Sequence, residues 1–167
     1  MKTLFIIRHA KSSWDTSNVD DFERPLSARG KRDAPRMGKR LKEKNIFPDL
    51  MLSSPAKRAH ATSKKFAKIL KYPKDAIKTD RDLYHADEET ILSVIQRLKD
   101  KIDKLMLFGH NPGLTDLVNS LINEEHDIDN IPTCGIVAFE FQADSWSKVT
   151  WGQGRLLFFD YPKSKED

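Results

Sequence analysis

Short apolar, β-favouring runs alternate along the chain with stretches whose apolar residues recur at helical spacing. Thr3 to Ile7, Asp49-Leu50-Met51-Leu52-Ser53 and Lys104-Leu105-Met106-Leu107-Phe108 are the runs, and each reads as a buried strand. Ala34, Met37 and Leu41 share one helical face, with Pro35 either kinking that helix or lying in its first turn. Ala59, Thr62, Phe66 and Ile69 form a second face, Ile91, Ile95 and Leu98 a third, and Leu114, Leu117, Val118 and Leu121 a fourth. Asp87 reads as the N-cap of the third helix, with Glu88 and Glu89 in its first turn. Late in the chain Ile136 to Phe141 and Leu156 to Phe159 read as strands, with Ser147 to Trp151 as a further one. Such alternation predicts an α/β three-layer sandwich, a largely parallel central sheet flanked by helices, with the closing strands suggesting an antiparallel edge.

Length changes this picture only by bounding it. The 167 residues suit one domain, 1–161, followed by a polar tail, 162–167, expected to fray. Hydrophobic residues make up 38% and charged residues 32%, which describes a heavily solvated surface. No apolar run approaches a membrane span, and Met1 to Ile7 meets Arg8-His9 without a small-residue cleavage site, so a strand is expected there rather than a signal peptide. The single cysteine, Cys134, excludes an internal disulfide and suggests a reducing, cytoplasmic setting. The formal net charge of +4 is compatible with acidic partners. Lys and Arg are interspersed with Asp and Glu, however, as from Lys39 to Lys44, which favours a solvated face over a nucleic-acid surface. Phe139, Phe141, Trp146, Trp151, Phe158 and Phe159 lie in or beside expected strands, where packing explains them better than base stacking.

Candidate chemistry gathers where three strands end. Arg8 and His9 follow the first. Ser54-Pro55 follows the second and reads as cap and first residue of a helix whose first turn holds Arg58. Gly109-His110 follows the third, with Asn111-Pro112 opening the next helix in the same way. In open α/β sheets ligands sit beyond the carboxyl ends of the strands, so two His and two Arg should converge there. Helix N-termini and permanently charged arginines attract a dianion. A neutral imidazole is a competent nucleophile, and phosphoryl transfer requires mainly positioning and charge stabilisation.

Arg8-His9 after an N-terminal strand, Ser53-Ser54-Pro55 leading to Arg58-Ala59, and Gly109-His110 after a later strand resemble the histidine phosphatase superfamily. Arg8 to Trp14, Asp21-Phe22-Glu23-Arg24-Pro25-Leu26-Ser27, Arg32 to Gly38, Leu83-Tyr84-His85-Ala86 and Gly109-His110-Asn111-Pro112 resemble its phosphohistidine phosphatase, SixA-type branch. The resemblance runs from residue 4 to beyond 140. It implies that His9 is the nucleophile that becomes phosphorylated, that Arg8 and Arg58 hold phosphoryl oxygens, and that His110 stabilises the same charge. Arg24 would line the mouth or touch the phosphate, against the alternative of a loop salt bridge. Lys11, Asn111 and His85 complete the candidate phosphate and substrate contacts, with a solvated Lys11 as the alternative for that residue.

The sequence departs from the wider superfamily at two positions, of which the second bears on the substrate. Position 10 is Ala where much of the superfamily has Gly, and Asn111 stands where the acid-phosphatase branch has a proton-donating Asp; Asn cannot protonate a leaving group. An alkoxide leaving from an ester benefits greatly from a proton, whereas phosphohistidine releases an imidazole whose conjugate acid has a pKa of roughly 6.5. The expectation is therefore a phosphatase acting on phosphohistidine in a protein, with phosphatase action on small phosphate esters as the alternative and a non-catalytic phosphoryl-binding module as a third. No cofactor is implied, and no metal: His60, His85 and His126 show no ligand spacing with one another or with Cys134.

Overall fold

The computed structural model describes residues 1–15, 18–125 and 127–164. His126 and residues 165–167 of the expected tail lie outside the described residues. The regular elements are β1 (Lys2–Arg8), α1 (Ala28–Glu43), β2 (Leu50–Ser53), α2 (Lys57–Leu70), β3 (Lys78–Thr79), α3 (Glu88–Gln96), β4 (Lys104–Gly109), α4 (Gly113–Leu121), β5 (Ile136–Phe141) and β6 (Arg155–Asp160). Their strands form one sheet in the order β3-β2-β4-β1-β5-β6. The first four are mutually parallel, and β5 runs antiparallel to both β1 and β6.

Apolar alternation within each strand divides the core into two layers. Phe5, Ile7, Met51, Met106 and Phe108 face Met37, Leu41 and Phe66 of α1 and α2. Leu4, Ile6, Leu52, Leu105 and Leu107 face Ile91 and Ile95 of α3 and Leu114, Leu117 and Leu121 of α4. A parallel sheet covered on both faces explains why these strands read as continuous apolar runs. The result is the expected three-layer α/β sandwich.

Register then sets the active edge. Arg8 pairs with Gly109 across β1 and β4, and Ser53 pairs with Phe108 across β2 and β4. The carboxyl ends of β1, β4 and β2 are therefore level and adjacent, with β4 in the middle.

Three sequence expectations shift. The segment from Ser147 to Trp151 is not a strand; Trp146–Lys148 forms a 3-10 turn capped by Ser145, because the Trp146 indole enters the core and donates to the Ile102 carbonyl at 2.6 Å. Pro35 lies in the middle of α1 rather than in its first turn. The first three residues of the polar tail, Pro162–Ser164, form a 3-10 turn, because the largely buried Arg40 donates to Asp160 Oδ1 at 3.0 Å and to the carbonyls of Tyr161 and Pro162 at 2.8 and 2.9 Å.

Candidate active site

His9 stands one residue past β1. Its backbone N–H donates to the Gly109 carbonyl at 3.1 Å, which fastens it to the end of β4. The next amide, of Ala10, donates to Thr62 Oγ1 at 3.0 Å, and that hydroxyl donates to the Arg58 carbonyl at 2.8 Å. The β1 exit is thus tied to the first turns of α2. The ring is oriented by its own neighbour: Nδ1 lies 2.7 Å from the Ala10 carbonyl oxygen. A carbonyl can only accept, so Nδ1 carries the proton and Nε2 of the neutral ring keeps its lone pair. Burial lowers the His9 pKa to about 4; the bond to Ala10 pulls upward, and Arg58, Arg8 and Arg24 push further down. The imidazole is neutral at pH 7.

His110 follows β4 directly, its ring centroid 5.2 Å from that of His9. Its Nε2 is 2.8 Å from Ser54 Oγ, and Ser54 Oγ already accepts from the Ala56 amide at 3.2 Å. The arrangement that gives the Ser54 hydroxyl proton a partner has it donate to Nε2, leaving Nδ1–H of His110 as a free donor. Burial first, then His9 and Arg58, lower the His110 pKa to about 3, with Asp21 pulling the other way.

Arg8 Nη1 donates to the Ile131 carbonyl at 2.9 Å. That carbonyl belongs to the turn before β5, which is pinned to the site because the Cys134 amide donates to the carbonyls of Arg8 and His9 at 3.1 and 3.0 Å. Arg58, in the first turn of α2, donates through Nη1 to the Asp21 carbonyl at 2.7 Å and through Nη2 to Asp21 Oδ2 at 3.1 Å. Among the described residues, the buried side-chain polar atoms without a partner are Arg8 Nε, Arg58 Nε and His110 Nδ1. Leaving such groups unsatisfied costs about 1–3 kcal/mol each, and all three belong to residues that follow or flank the ends of β1, β2 and β4. All three are N–H donors, the kind of group that stabilises an oxyanion.

The remaining candidates fall into two groups. Arg24 is buried and committed: Nε donates to Asp21 Oδ1 at 3.1 Å, Nη1 donates to Ser12 Oγ at 2.7 Å, and its guanidinium lies 3.6 Å from the centroid of the exposed Trp14 ring. Asn111 is also committed, and to holding the site rather than the phosphate. Its amide nitrogen donates to Asn130 Oδ1 and the Ile131 carbonyl at 3.0 and 3.1 Å, and its Oδ1 accepts from the Thr115 amide and hydroxyl at 3.1 and 2.9 Å. Both amide protons are engaged, so Asn111 steadies the turn that receives Arg8. Lys11 is exposed, and its carbonyl accepts from the Ser27 amide at 2.9 Å. That contact lets α1 approach closely: a Cβ on Gly30 would lie 2.1 Å from the Lys11 oxygen. His85 is exposed, in a left-handed conformation with φ 56°, and its ring is 3.9 Å from that of Tyr84. Tyr84 in turn stands edge-on to His110 at 5.6 Å. The preceding Ser54-Pro55 does not open α2 as the sequence suggested; α2 begins two residues later, after Ala56, because Ser54 turns its hydroxyl to His110 and the Ala56 amide.

Sequence reasoning assigned no role to Asp21 or Tyr84, although both lie in stretches that carry the family resemblance. The bonds that Arg58 and Tyr84 donate to Asp21 span 37 and 63 residues of chain, so no local spacing announces them; only the bond from Arg24 is local. Among the described residues there is no cluster of three or more His, Cys, Asp or Glu placed to hold a metal ion, and no helix long and apolar enough to cross a membrane.

Comparison with known proteins agrees with this geometry. Residues 4–103 match the model of the histidine phosphatase superfamily, branch 1. An uncharacterized protein of Mycobacterium tuberculosis is 30% identical over 166 residues, covering 94% of this chain and all of that protein. The structure of an Agrobacterium tumefaciens protein provisionally named phosphohistidine phosphatase SixA is 26% identical, with a TM-score of 0.79 over 96% of this chain and 98% of that one. A phosphoserine phosphatase of Entamoeba histolytica, in complex with 3-phosphoglyceric acid, shares the fold at 15% identity, with a TM-score of 0.68 over 98% of each chain. By its sequence match, its sheet and the residues at the ends of β1, β2 and β4, the chain belongs to the histidine phosphatase superfamily, branch 1, and is a metal-independent phosphatase of that superfamily.

Proposed function

We propose that this phosphatase is of the SixA type and removes the phosphoryl group from phosphohistidine in a protein, through a covalent phospho-His9 intermediate. The lone pair on His9 Nε2 attacks phosphorus as the bond to the leaving nitrogen breaks, and the electron pair departs with the substrate imidazole, which leaves neutral because its second ring nitrogen already carries a proton. Water then attacks phosphorus, the bond to Nε2 breaks, and the electron pair returns to His9 as phosphate leaves. Arg8, Arg58 and His110 Nδ1–H hold the equatorial oxygens through both steps. The observation that carries this reading is the set of three unpartnered buried atoms, Arg8 Nε, Arg58 Nε and His110 Nδ1, around a neutral imidazole whose Nε2 is unprotonated.

Substrate preference follows from the acid the site lacks. The carboxylate bonded to the site residues is Asp21, which accepts from Tyr84, Arg24 and Arg58, and these bonds hold it well below the usual carboxylate range. It stays ionised and has no proton to give. A P–N bond, whose leaving group needs less help, fits that site better than an ester. Small phosphate esters are the second reading, favoured by the exposed imidazole of His85, whose ring lies 3.9 Å from that of Tyr84 at a tilt of 38°. The single buried thiol, Cys134, suits the reducing cytoplasm.

The test is phosphate release from a phosphohistidine peptide by the native protein and by His9→Ala side by side, with EDTA present. Release by the native protein alone is expected. Ester turnover well above phosphohistidine turnover would refute the substrate, and equal release by both proteins would refute the nucleophile.

A further inference from the structure

Asp21 begins a 3-10 turn, Asp21–Glu23, and lies between Arg24, three residues on, and two groups from distant parts of the chain, Arg58 and Tyr84. Its Oδ2 accepts from Arg58 Nη2 at 3.1 Å and from the Tyr84 hydroxyl at 2.6 Å, its Oδ1 accepts from Arg24 Nε at 3.1 Å, and its carbonyl accepts from Arg58 Nη1 at 2.7 Å. One residue therefore occupies the terminal edge of the Arg58 guanidinium, the Nε of Arg24 and the hydroxyl of Tyr84.

A guanidinium is planar, so fixing both terminal nitrogens fixes the direction of Nε–H as well. In Arg58 that Nε is the buried atom left without a partner. Tyr84 is fixed by the same carboxylate, and its ring stands edge-on both to Phe22 at 5.1 Å and to His110 at 5.6 Å. The carboxylate also pairs with both cations, Arg58 and Arg24, at 3.1 Å each.

We infer that Asp21 is a positioning residue for phosphoryl transfer, one that acts through Arg58: it aims the Arg58 Nε at the transferred group. The inference rests on the reading of Arg58 as a phosphoryl clamp. A residue that only braced the loop would affect folding; one that aims Arg58 affects oxyanion binding and turnover in the folded protein, and does so only while Arg58 is present.

The experiment measures tungstate binding by calorimetry, turnover of a phosphohistidine peptide and of an aryl phosphate, and thermal melting. The proteins are the native chain, Asp21→Asn, Asp21→Glu, Arg58→Ala and the Asp21→Asn/Arg58→Ala double variant. Asp21→Asn is expected to lower kcat/KM roughly 10²-fold, as misplacement of a clamp does, and to weaken tungstate binding, with Asp21→Glu recovering part of both. In the Arg58→Ala background the same substitution should change either quantity by less than about threefold, the signature of residues acting as one unit. Unchanged tungstate binding and turnover in folded Asp21→Asn, or a full additional loss in the double variant, would overturn the inference. If Asp21→Asn fails to fold, Tyr84→Phe, which removes one of the four bonds, must still weaken tungstate binding for the inference to stand. Absence of tungstate binding by the native protein would remove the clamp itself and the role of Asp21 with it, whereas tungstate binding without phosphohistidine turnover would refute only the substrate.

Discussion

Acidification from about pH 7.5 to about pH 5 separates the folded from the unfolded protein through two residues, His9 and His110. In the unfolded chain both imidazoles titrate near their ordinary value of roughly 6.5; in the fold, burial and the neighbouring charged side chains hold them at about 4 and about 3. The sign follows from linkage. Below pH 6.5 the unfolded state binds protons that the folded state does not, so stability present above 6.5 is lost as pH falls, and the loss levels off only below the folded values. At pH 5 an unfolded imidazole is favoured in its protonated form by about 30 to 1, which corresponds to about 2 kcal/mol per histidine, or about 4 kcal/mol together. That is a large part of a typical stability of about 5–15 kcal/mol. Carboxylates also titrate in this window, so the two histidines are isolated by comparison with His9→Gln/His110→Gln. Urea unfolding at both pH values should show the native protein losing about 4 kcal/mol more than the double variant. Equal losses in the two proteins would refute the claim that the fold holds these rings neutral.

Other predictions follow from single contacts. Arg8→Ala should lower kcat by about 10²–10³-fold, the effect of losing one preorganised oxyanion donor, measured by steady-state turnover of an aryl phosphate. Gly30→Ala and Gly113→Ala each place a Cβ 2.1 Å from a carbonyl oxygen, of Lys11 and Ala86 respectively, and should each destabilise by about 1–3 kcal/mol in urea unfolding. Cys134 is fully buried and its thiol pKa is pushed up by burial, so it should not react with a thiol reagent until the protein unfolds; fast reaction in the native state would contradict its placement.

The sheet and the gathering of Arg8, His9, Arg58 and His110 at its carboxyl edge were legible in the sequence for related reasons. β1, β2 and β4 are buried on both faces, so they appear as uninterrupted apolar runs, and the residues that end them are conspicuous because the runs stop there. β3 escaped notice because Lys78–Thr79 is two residues long and exposed, with no apolar signal. Ser54 and Asn111 were legible as cap-type residues but not in their partners: Ser54 orients His110 and Asn111 binds the turn carrying Ile131, contacts that only the assembled edge creates. Lys2 shows the same limit in the core. A lysine in a strand reads as exposed, yet it is 1% exposed, because its ammonium donates to the Ile102 carbonyl at 2.8 Å and pairs with Asp103 at 3.0 Å. Asp21 is the most consequential case. One acid among 25, it shows in the sequence only its three-residue spacing to Arg24, and its contacts with Arg58 and Tyr84 exist only in three dimensions.

The central claim is that His9 carries the phosphoryl group. Rapid acid-free quenching of the native protein during turnover of a ³²P-labelled phosphohistidine peptide, followed by mapping of labelled fragments, tests it most directly. The account predicts an acid-labile, base-stable label on the fragment containing His9, formed faster than phosphate is released and absent from His9→Ala. Label on another residue, or phosphate release by His9→Ala at the native rate, would contradict it.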